Sequence, residues 1–190
     1  AADHAAIITD GLIEIMRYSG REEEITVGFF GPSDVIGLSA HLRKANYPGG
    51  ARVLTQSTEV IKLYLRPLLA HADAHQGELQ NWIRDTMFNH EQILSDKIDI
   101  LSAGRIEDRI LELLIHLLHR FGRTESKLRH FIPIRLTRAQ IGKIAGLRVE
   151  TVIRLLSRWK RAGFVEFRTD GILIENLPAL ERAVTQPAQK

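Results

Sequence analysis

Two short amphipathic segments meeting at a glycine constrain this chain more than any other feature. In "LTRAQIGKIAGLRVETVIRLLSRWKRAG", Leu136 to Gly163, the apolar positions return every three or four residues, the period of a helix with one buried face. Thr137 followed three residues later by Gln140 is a capping-box pattern, so a helix is expected to start there and stop at Gly146. The second segment then directs Val152, Leu155, Leu156 and Trp159 inward. Neither segment is long enough to stand alone, so each needs the other as its packing surface. The tight turn at Gly146-Leu147-Arg148 makes the pair read as a helix-turn-helix. "FVEFRTDGILIEN" follows with two short strands around Asp170-Gly171, a hairpin signal and hence a wing.

Charge concentrates in the same place. Over the whole chain the formal net charge is only +3, yet Arg135 to Arg168 carries nine Lys/Arg against two Asp/Glu, a local +7 that leaves the remainder at −4. Such asymmetry is either a solvated cationic surface or the footprint of a polyanion partner, where each neutralised phosphate releases condensed counterions. If the second helix enters a major groove of double-stranded DNA, its first turns face base edges while its later apolar positions pack on the first helix. Val149, Glu150, Ile153 and Arg154 then point outward. Arg154 is suited to a bidentate pair with guanine and Glu150 to accepting from cytosine; Ile153 or Val149 suits a thymine methyl. Glu150 also has a plainer reading as a first-turn residue favoured by the helix dipole. Arg148 argues for the DNA reading, because a cation at a helix N-terminus is unfavourable unless an anion, such as a phosphate, lies close by.

The rest of the 190 residues has two further textures, and 44% hydrophobic content suffices for buried cores. From Ile7 to about Arg66 the sequence is β-rich, as in "GLIEIMRY" and "EEITVGFF", with turns at Ser19-Gly20, Gly31-Pro32 and Pro48-Gly49-Gly50. This pattern predicts an antiparallel roll or barrel; the chain opens directly in strand material, so earlier strands are expected ahead of it. From Pro67 onward Leu79, Ile83, Thr86 or Met87, His90, Ile93 or Leu94, Lys97 or Ile98 and Leu101 form a seam with spacings of three and four. That is the mark of a long helix seeking a partner, and a symmetry mate, giving a homodimer, is the expected one. Gly104 interrupts the pattern and is the expected hinge. A second amphipathic helix, "RIEDRILELLIHLLHRFG", places Ile106, Ile110, Leu113, Leu114, Leu117 and Phe121 on one face and stops at Gly122.

The chain has no cysteine, which excludes disulfides, thiolate zinc sites and cysteine-held iron–sulfur clusters. There is no charged-then-apolar leader, and no apolar run approaches the ~18 residues of a membrane span. A soluble, cytoplasmic protein with no membrane partner is the expectation.

"LTRAQIGKIAGLRVETVIRLL", with its trailing "ILIENLPAL", resembles the C-terminal winged helix of the cAMP-receptor/FNR superfamily of bacterial transcription regulators, most closely its FNR-like branch. The order roll, long helix, second helix, winged helix matches that family along essentially the whole chain. The resemblance implies an α+β fold: a cyclic-nucleotide-binding-like β-roll over 1–76, a long dimerisation helix over 77–103 and a winged helix-turn-helix DNA-binding domain over 104–190. It implies a dimeric regulator, not an enzyme, acting on a palindromic promoter site, with RNA polymerase as a further partner. Base contacts fall on Glu150 and Arg154, flanked by Val149 and Ile153. Phosphate contacts fall on Arg138 and Thr151, with Arg148 and Arg158 beside them. The family's additional recognition arginine is Val149 here, the FNR-type serine is Ile153, and the usual Ser or Thr before the recognition helix is Arg148. The resemblance therefore implies a palindrome whose half-sites share a G-A core, with the outer base left open.

In the sensor half, "GPSDVIGLSAHL" aligned with the family's nucleotide-cradling turn keeps Gly37 but sets Leu38 where cyclic-nucleotide binders carry a ribose-binding glutamate. The phosphate-clamping arginine falls at Pro48, and Arg52 replaces it only after a shift of the loop. Leucine cannot accept from a ribose hydroxyl, so an effector other than cAMP is expected, in a pocket drawn from Gly37, Leu38, Arg52 and His90, with Leu42 as a further apolar lining. Histidines are the remaining handle. His71 and His75 have the i,i+4 spacing of a metal pair, His116 and His119 share a face, and His90 or His41 are candidate haem ligands, but no carboxylate–histidine constellation completes a metal site in the sequence. Two other readings remain: a constitutive, effector-free DNA binder, and a cupin-like metalloenzyme, against which stands the absence of a His-x-His pair on any expected strand.

Overall fold

A computed structural model of the chain describes residues 2–18, 24–64, 67 and 76–185. The chain divides into two compact units, Ala1–Ser95 and Asp96–Lys190, and the division falls inside the long helix.

The first unit is built from two three-stranded antiparallel sheets and a short helix. Strands β1 (Ala5–Asp10), β4 (Val35–Ile36) and β6 (Glu59–Leu63) form one sheet, with β1 central. Strands β2 (Ile13–Tyr18), β3 (Glu24–Phe30) and β5 (Gly49–Val53) form the other, with β2 central. Gly11 lets the chain turn from the first sheet into the second: its φ is 83°, and a side chain there would strike the hydroxyl groups of Thr55 and Thr58. The short helix α1 (Leu38–Leu42) follows Gly37, which also lies in the left-handed region. Leu38 is fully buried with Ala5 and Val35, and Trp82 and Met87 pack on this cluster.

Those two residues belong to the long helix α2, Gln76–Ser102. Its apolar seam divides in two. Thr86 and Ile93 are buried, Ile93 against Ile8, Ile13 and Phe30 of the roll. His90 Nε2 donates to the Val35 carbonyl at 2.6 Å, with its ring edge-on to Phe30. The preceding residue reinforces this, since Asn89 Nδ2 donates to Asp34 Oδ1 at 2.6 Å. Leu94, Ile98 and Leu101, by contrast, stay exposed. The single seam expected from spacing is thus two faces: one spent on the helix's own sheets, and one left open.

In the second unit, helix α3 (Ile106–Phe121) buries Ile110, Leu111, Leu113, Leu114, Leu117 and Leu118. Ile106, expected on that face, is exposed instead, because the helix begins there and Arg105 and Asp108 close its first turn as a capping box. Helices α4 (Arg138–Ala145) and α5 (Val149–Arg161) pack on one another. The Thr137–Gln140 capping box is present in both directions, and Gly146 ends α4 with φ 65°. Gly142 is equally required, since a methyl group there would press on the Leu147 carbonyl.

The wing is broader than the sequence indicates. Strands β9 (Val165–Phe167) and β10 (Ile172–Ile174) pair as expected, and β10 also pairs with β8 (His130–Ile132), which pairs with β7 (Arg123–Thr124), giving the order β7-β8-β10-β9. These two added strands are only two and three residues long, too short to leave an alternating pattern. Helix α6 (Leu177–Thr185) closes the unit, capped by Asn176 and anchored by Leu180 and Val184.

Candidate nucleic-acid interface

Helix α5 is strongly two-faced. Val152, Leu155, Leu156 and Trp159 are buried, which fixes the rotation of the helix and turns Glu150, Ile153 and Arg154 to solvent, with Val149 and Thr151 half-buried beside them. Among the described residues, the side chains of Arg148, Glu150 and Arg154 have no hydrogen-bond or ion-pair partner. Arg148 stands at the N-cap in extended conformation without capping the helix through its side chain. A guanidinium at the positive end of a helix dipole, with nothing to neutralise it, favours an incoming anion.

Two of the expected phosphate contacts already have partners within the fold. Arg158 is held by Glu107 of α3, Nη2 to Oε1 at 2.9 Å, because one further turn along α5 brings the helix edge over the start of α3. Burial by itself raises the Glu107 pKa, but the hydrogen bond from Arg158 and the surrounding charges of Arg158 and Arg105 outweigh it and hold the carboxyl below its usual range. Arg138, in the first turn of α4, is half-buried with its guanidinium 3.5 Å above the ring of Phe167 in the wing. Burial lowers its pKa, although an arginine remains charged at neutral pH.

Arg138 and Phe167 border a cleft of about 330 Å³ between the start of α4 and the wing hairpin, to which Arg135, Thr137, Arg168 and Gly171 also contribute. Arg168 is paired with Glu166, Nε to Oε2 at 2.9 Å. Arg135, Phe167 and Arg168 carry no signal of this cleft in the sequence: Phe167 and Arg168 stand at the turn end of the β9–β10 hairpin, Phe167 opposite Ile172, and Arg135 precedes α4.

Residues 108–183 match the family described as the Crp-like helix-turn-helix domain, and residues 1–71 match the cyclic nucleotide-binding domain. The chain belongs to the Crp/Fnr family of transcription regulators. Among its Crp/Fnr relatives, the fumarate and nitrate reduction regulatory protein of Yersinia pestis is 27% identical over 180 residues, 95% of this chain and 70% of the relative. The transcriptional regulatory protein btr of Bordetella pertussis is 25% identical over 159 residues, 84% of this chain and 64% of the relative. The chain thus spans about two thirds of the length of the curated relatives it matches. In fold it is similar to a CRP-family transcriptional regulator from Thermus thermophilus, with a TM-score of 0.78 at 18% identity over 99% of this chain and 91% of the other. It is also similar to FixK2 from Bradyrhizobium japonicum, with a TM-score of 0.75 at 19% identity over 95% and 87%.

In the Crp/Fnr roll, the four residues expected to line an effector pocket are each engaged by neighbouring groups. Leu38 is core, with no exposed surface. Gly37 faces Tyr47 and the His4 carbonyl closely enough that a methyl group would crowd both. Arg52, on the other sheet, is clamped by two carboxylates: Nη1 donates to Glu14 Oε2 at 3.1 Å, and Nη2 to both Glu24 oxygens at 3.0 Å. Glu14 is itself buried and accepts from Thr26 Oγ1 at 2.6 Å. The hydrogen bond to Glu24 raises the Arg52 pKa further. His90 is committed to Val35 as described, and His41 Nδ1 lies 3.0 Å from the Ala2 carbonyl, so both candidate haem ligands are engaged by backbone oxygens.

His71 and His75 lie outside the described residues. His119 is exposed. His116 does not pair with it but faces α2, where Asp96 and Asp99 approach it. No helix among the described residues is long and apolar enough to cross a membrane.

Proposed function

We propose that this Crp/Fnr regulator works as a homodimer that sets one α5 helix per subunit into successive major grooves of a palindromic promoter site. Glu150 and Arg154 read the base pairs, with Val149 and Ile153 as apolar neighbours; Arg148, Arg138 and Thr151 hold phosphates. The observation that carries this reading is the pair of exposed, unpartnered side chains Glu150 and Arg154 on the outer face of a helix whose inner face is locked by Trp159 and Leu156. The open stripe Leu94, Ile98 and Leu101 on α2 supports dimerisation through that helix, as in other coiled seams. RNA polymerase is the further partner that the family implies.

Arg154→Ala tests the reading directly. With a bidentate arginine–guanine pair worth roughly 1–3 kcal/mol, fluorescence anisotropy on a palindromic duplex is expected to show a loss of about 5- to 150-fold while circular dichroism is unchanged. Unaltered affinity overturns the assignment of α5 as the recognition helix.

The effector is proposed to be something other than cAMP. Leu38 buried in the core and Arg52 neutralised by Glu14 and Glu24 support this, because neither is available to a ribose hydroxyl or a cyclic phosphate. The same two observations favour a second reading, a constitutive regulator controlled by its abundance. Operator affinity measured with protein freshly isolated and after exhaustive dialysis separates the two: a change favours an effector, and constancy favours constitutive binding.

A further inference from the structure

Asp96 and Asp99 sit one turn apart near the end of α2 and so share a face. His116 of α3 meets that face, and one donor atom from each of the three lies within 4.8 Å of the others. Asp96 and His116 are mostly covered, with side-chain exposures of 15% and 23%. The imidazole is addressed on both nitrogens: Nδ1 lies 3.5 Å from Asp96 Oδ1, and Nε2 lies 3.9 Å from Glu112 Oε2, one turn earlier on its own helix.

We propose that Asp96, Asp99 and His116 form a binding site for one divalent first-row transition-metal ion. Three features point there. The donor set of one imidazole and two carboxylates suits Mn²⁺, Fe²⁺ or Zn²⁺, and the chain offers no thiolate to draw softer ions. Such an ion holds these donors at about 2.0–2.2 Å, which places them about 3 to 4.3 Å from one another; the observed cluster needs only a small inward rotation of side chains to close. Finally, Glu112 Oε2 lies 3.9 Å from Nε2 on the side away from the aspartates, within a side-chain rotation of accepting the Nε2–H hydrogen bond that would leave the Nδ1 lone pair for a metal, as an outer carboxylate does for a metal-binding histidine. Asp99 is exposed, so the remaining coordination positions are open to water. The ligands come from two consecutive helices, and the ion ties the last turns of α2 to the middle of α3 across the Ala103–Arg105 link.

The test is Mn²⁺ binding to the purified chain without DNA, followed by electron paramagnetic resonance of the free ion, with Zn²⁺ as competitor. One ion per chain is expected, displaced stoichiometrically by Zn²⁺. Asp99→Asn and His116→Gln are each expected to weaken binding at least tenfold, and His119→Ala is expected to leave it unchanged. Asp99 is on the surface, so its variant keeps the fold even if His116→Gln does not. Equal binding by Asp99→Asn and the parent chain overturns the proposal, as does the absence of stoichiometric binding or its loss on His71→Ala or His75→Ala alone. Because DNA is absent throughout, neither result bears on the recognition helix.

Discussion

The guanidinium of Arg138 lies 3.5 Å over the ring of Phe167, so the first residue of helix α4 and the last residue of strand β9 are held face to face. This contact fastens the helix-turn-helix to its wing, at a residue proposed above to hold a phosphate. A partly covered cation–π pair contributes about 0.5–2 kcal/mol. Phe167→Ala is expected to lower the stability of the unit by that amount plus the lost apolar contact, and to weaken DNA binding several-fold by releasing Arg138. Urea titration and anisotropy on the same variant check the two effects; stability lost without any change in affinity would make the stacking purely structural.

Glu107 controls how much charge α5 offers. Burial pushes its pKa up, but the hydrogen bond from Arg158 and the neighbouring cations prevail and lower it in the fold. Its contribution to stability is therefore present above the ordinary carboxylate pKa of about 4.3 and disappears as pH falls through the lower folded value. The pair is partly exposed, which limits its worth to about 1 kcal/mol or less. Glu107→Gln is expected to flatten the acid limb of the stability profile below about pH 5 and to free Arg158 for DNA. The slope of log affinity against log salt then steepens by about one phosphate contact per subunit. An unchanged slope would mean that Arg158 faces away from the backbone.

Asp34 joins strand to helix. It is buried, accepts from the Gly31 backbone N–H at 2.7 Å and from Asn89 at 2.6 Å. Asp34→Ala leaves the buried Gly31 N–H without its acceptor, and an unsatisfied buried donor costs about 1–3 kcal/mol, whereas the exposed Asn89 amide turns to water. A drop in the urea midpoint, with hydrogen exchange rising first around residues 86–93, is the expected result.

Ile98 is 62% exposed on a helix face that carries Leu94 and Leu101 beside it. Ile98→Glu is expected to leave the monomer folded and to shift sedimentation from dimer to monomer, since a buried unpaired carboxylate at a seam is strongly unfavourable. Persistence of the dimer would move the interface elsewhere.

What could be read from the sequence followed the strength of local signals. Thr137, Gln140, Gly146 and the inward quartet from Val152 to Trp159 each report through spacing alone, and the helix-turn-helix was legible from them. Strands β7 and β8 were not, because runs of two and three residues beside Pro133 have no period. The α2 seam showed that apolar residues recur but not that Thr86 and Ile93 turn to the roll while Leu94 and Ile98 turn away, a choice made by tertiary packing. Arg158 and His116 illustrate the same limit: their partners Glu107 and Asp96 lie 51 and 20 positions away, beyond any local pattern.

The clamp on Arg52 has a consequence for chemical selectivity. One cation is already shared by two carboxylates on the β2–β3–β5 sheet. An anionic guest arriving there would have to evict Glu14 or Glu24 before gaining any attraction, and evicting Glu14 would break its bond with Thr26 as well. A phosphate ester approaching Arg52 would therefore compete with two carboxylates already in place.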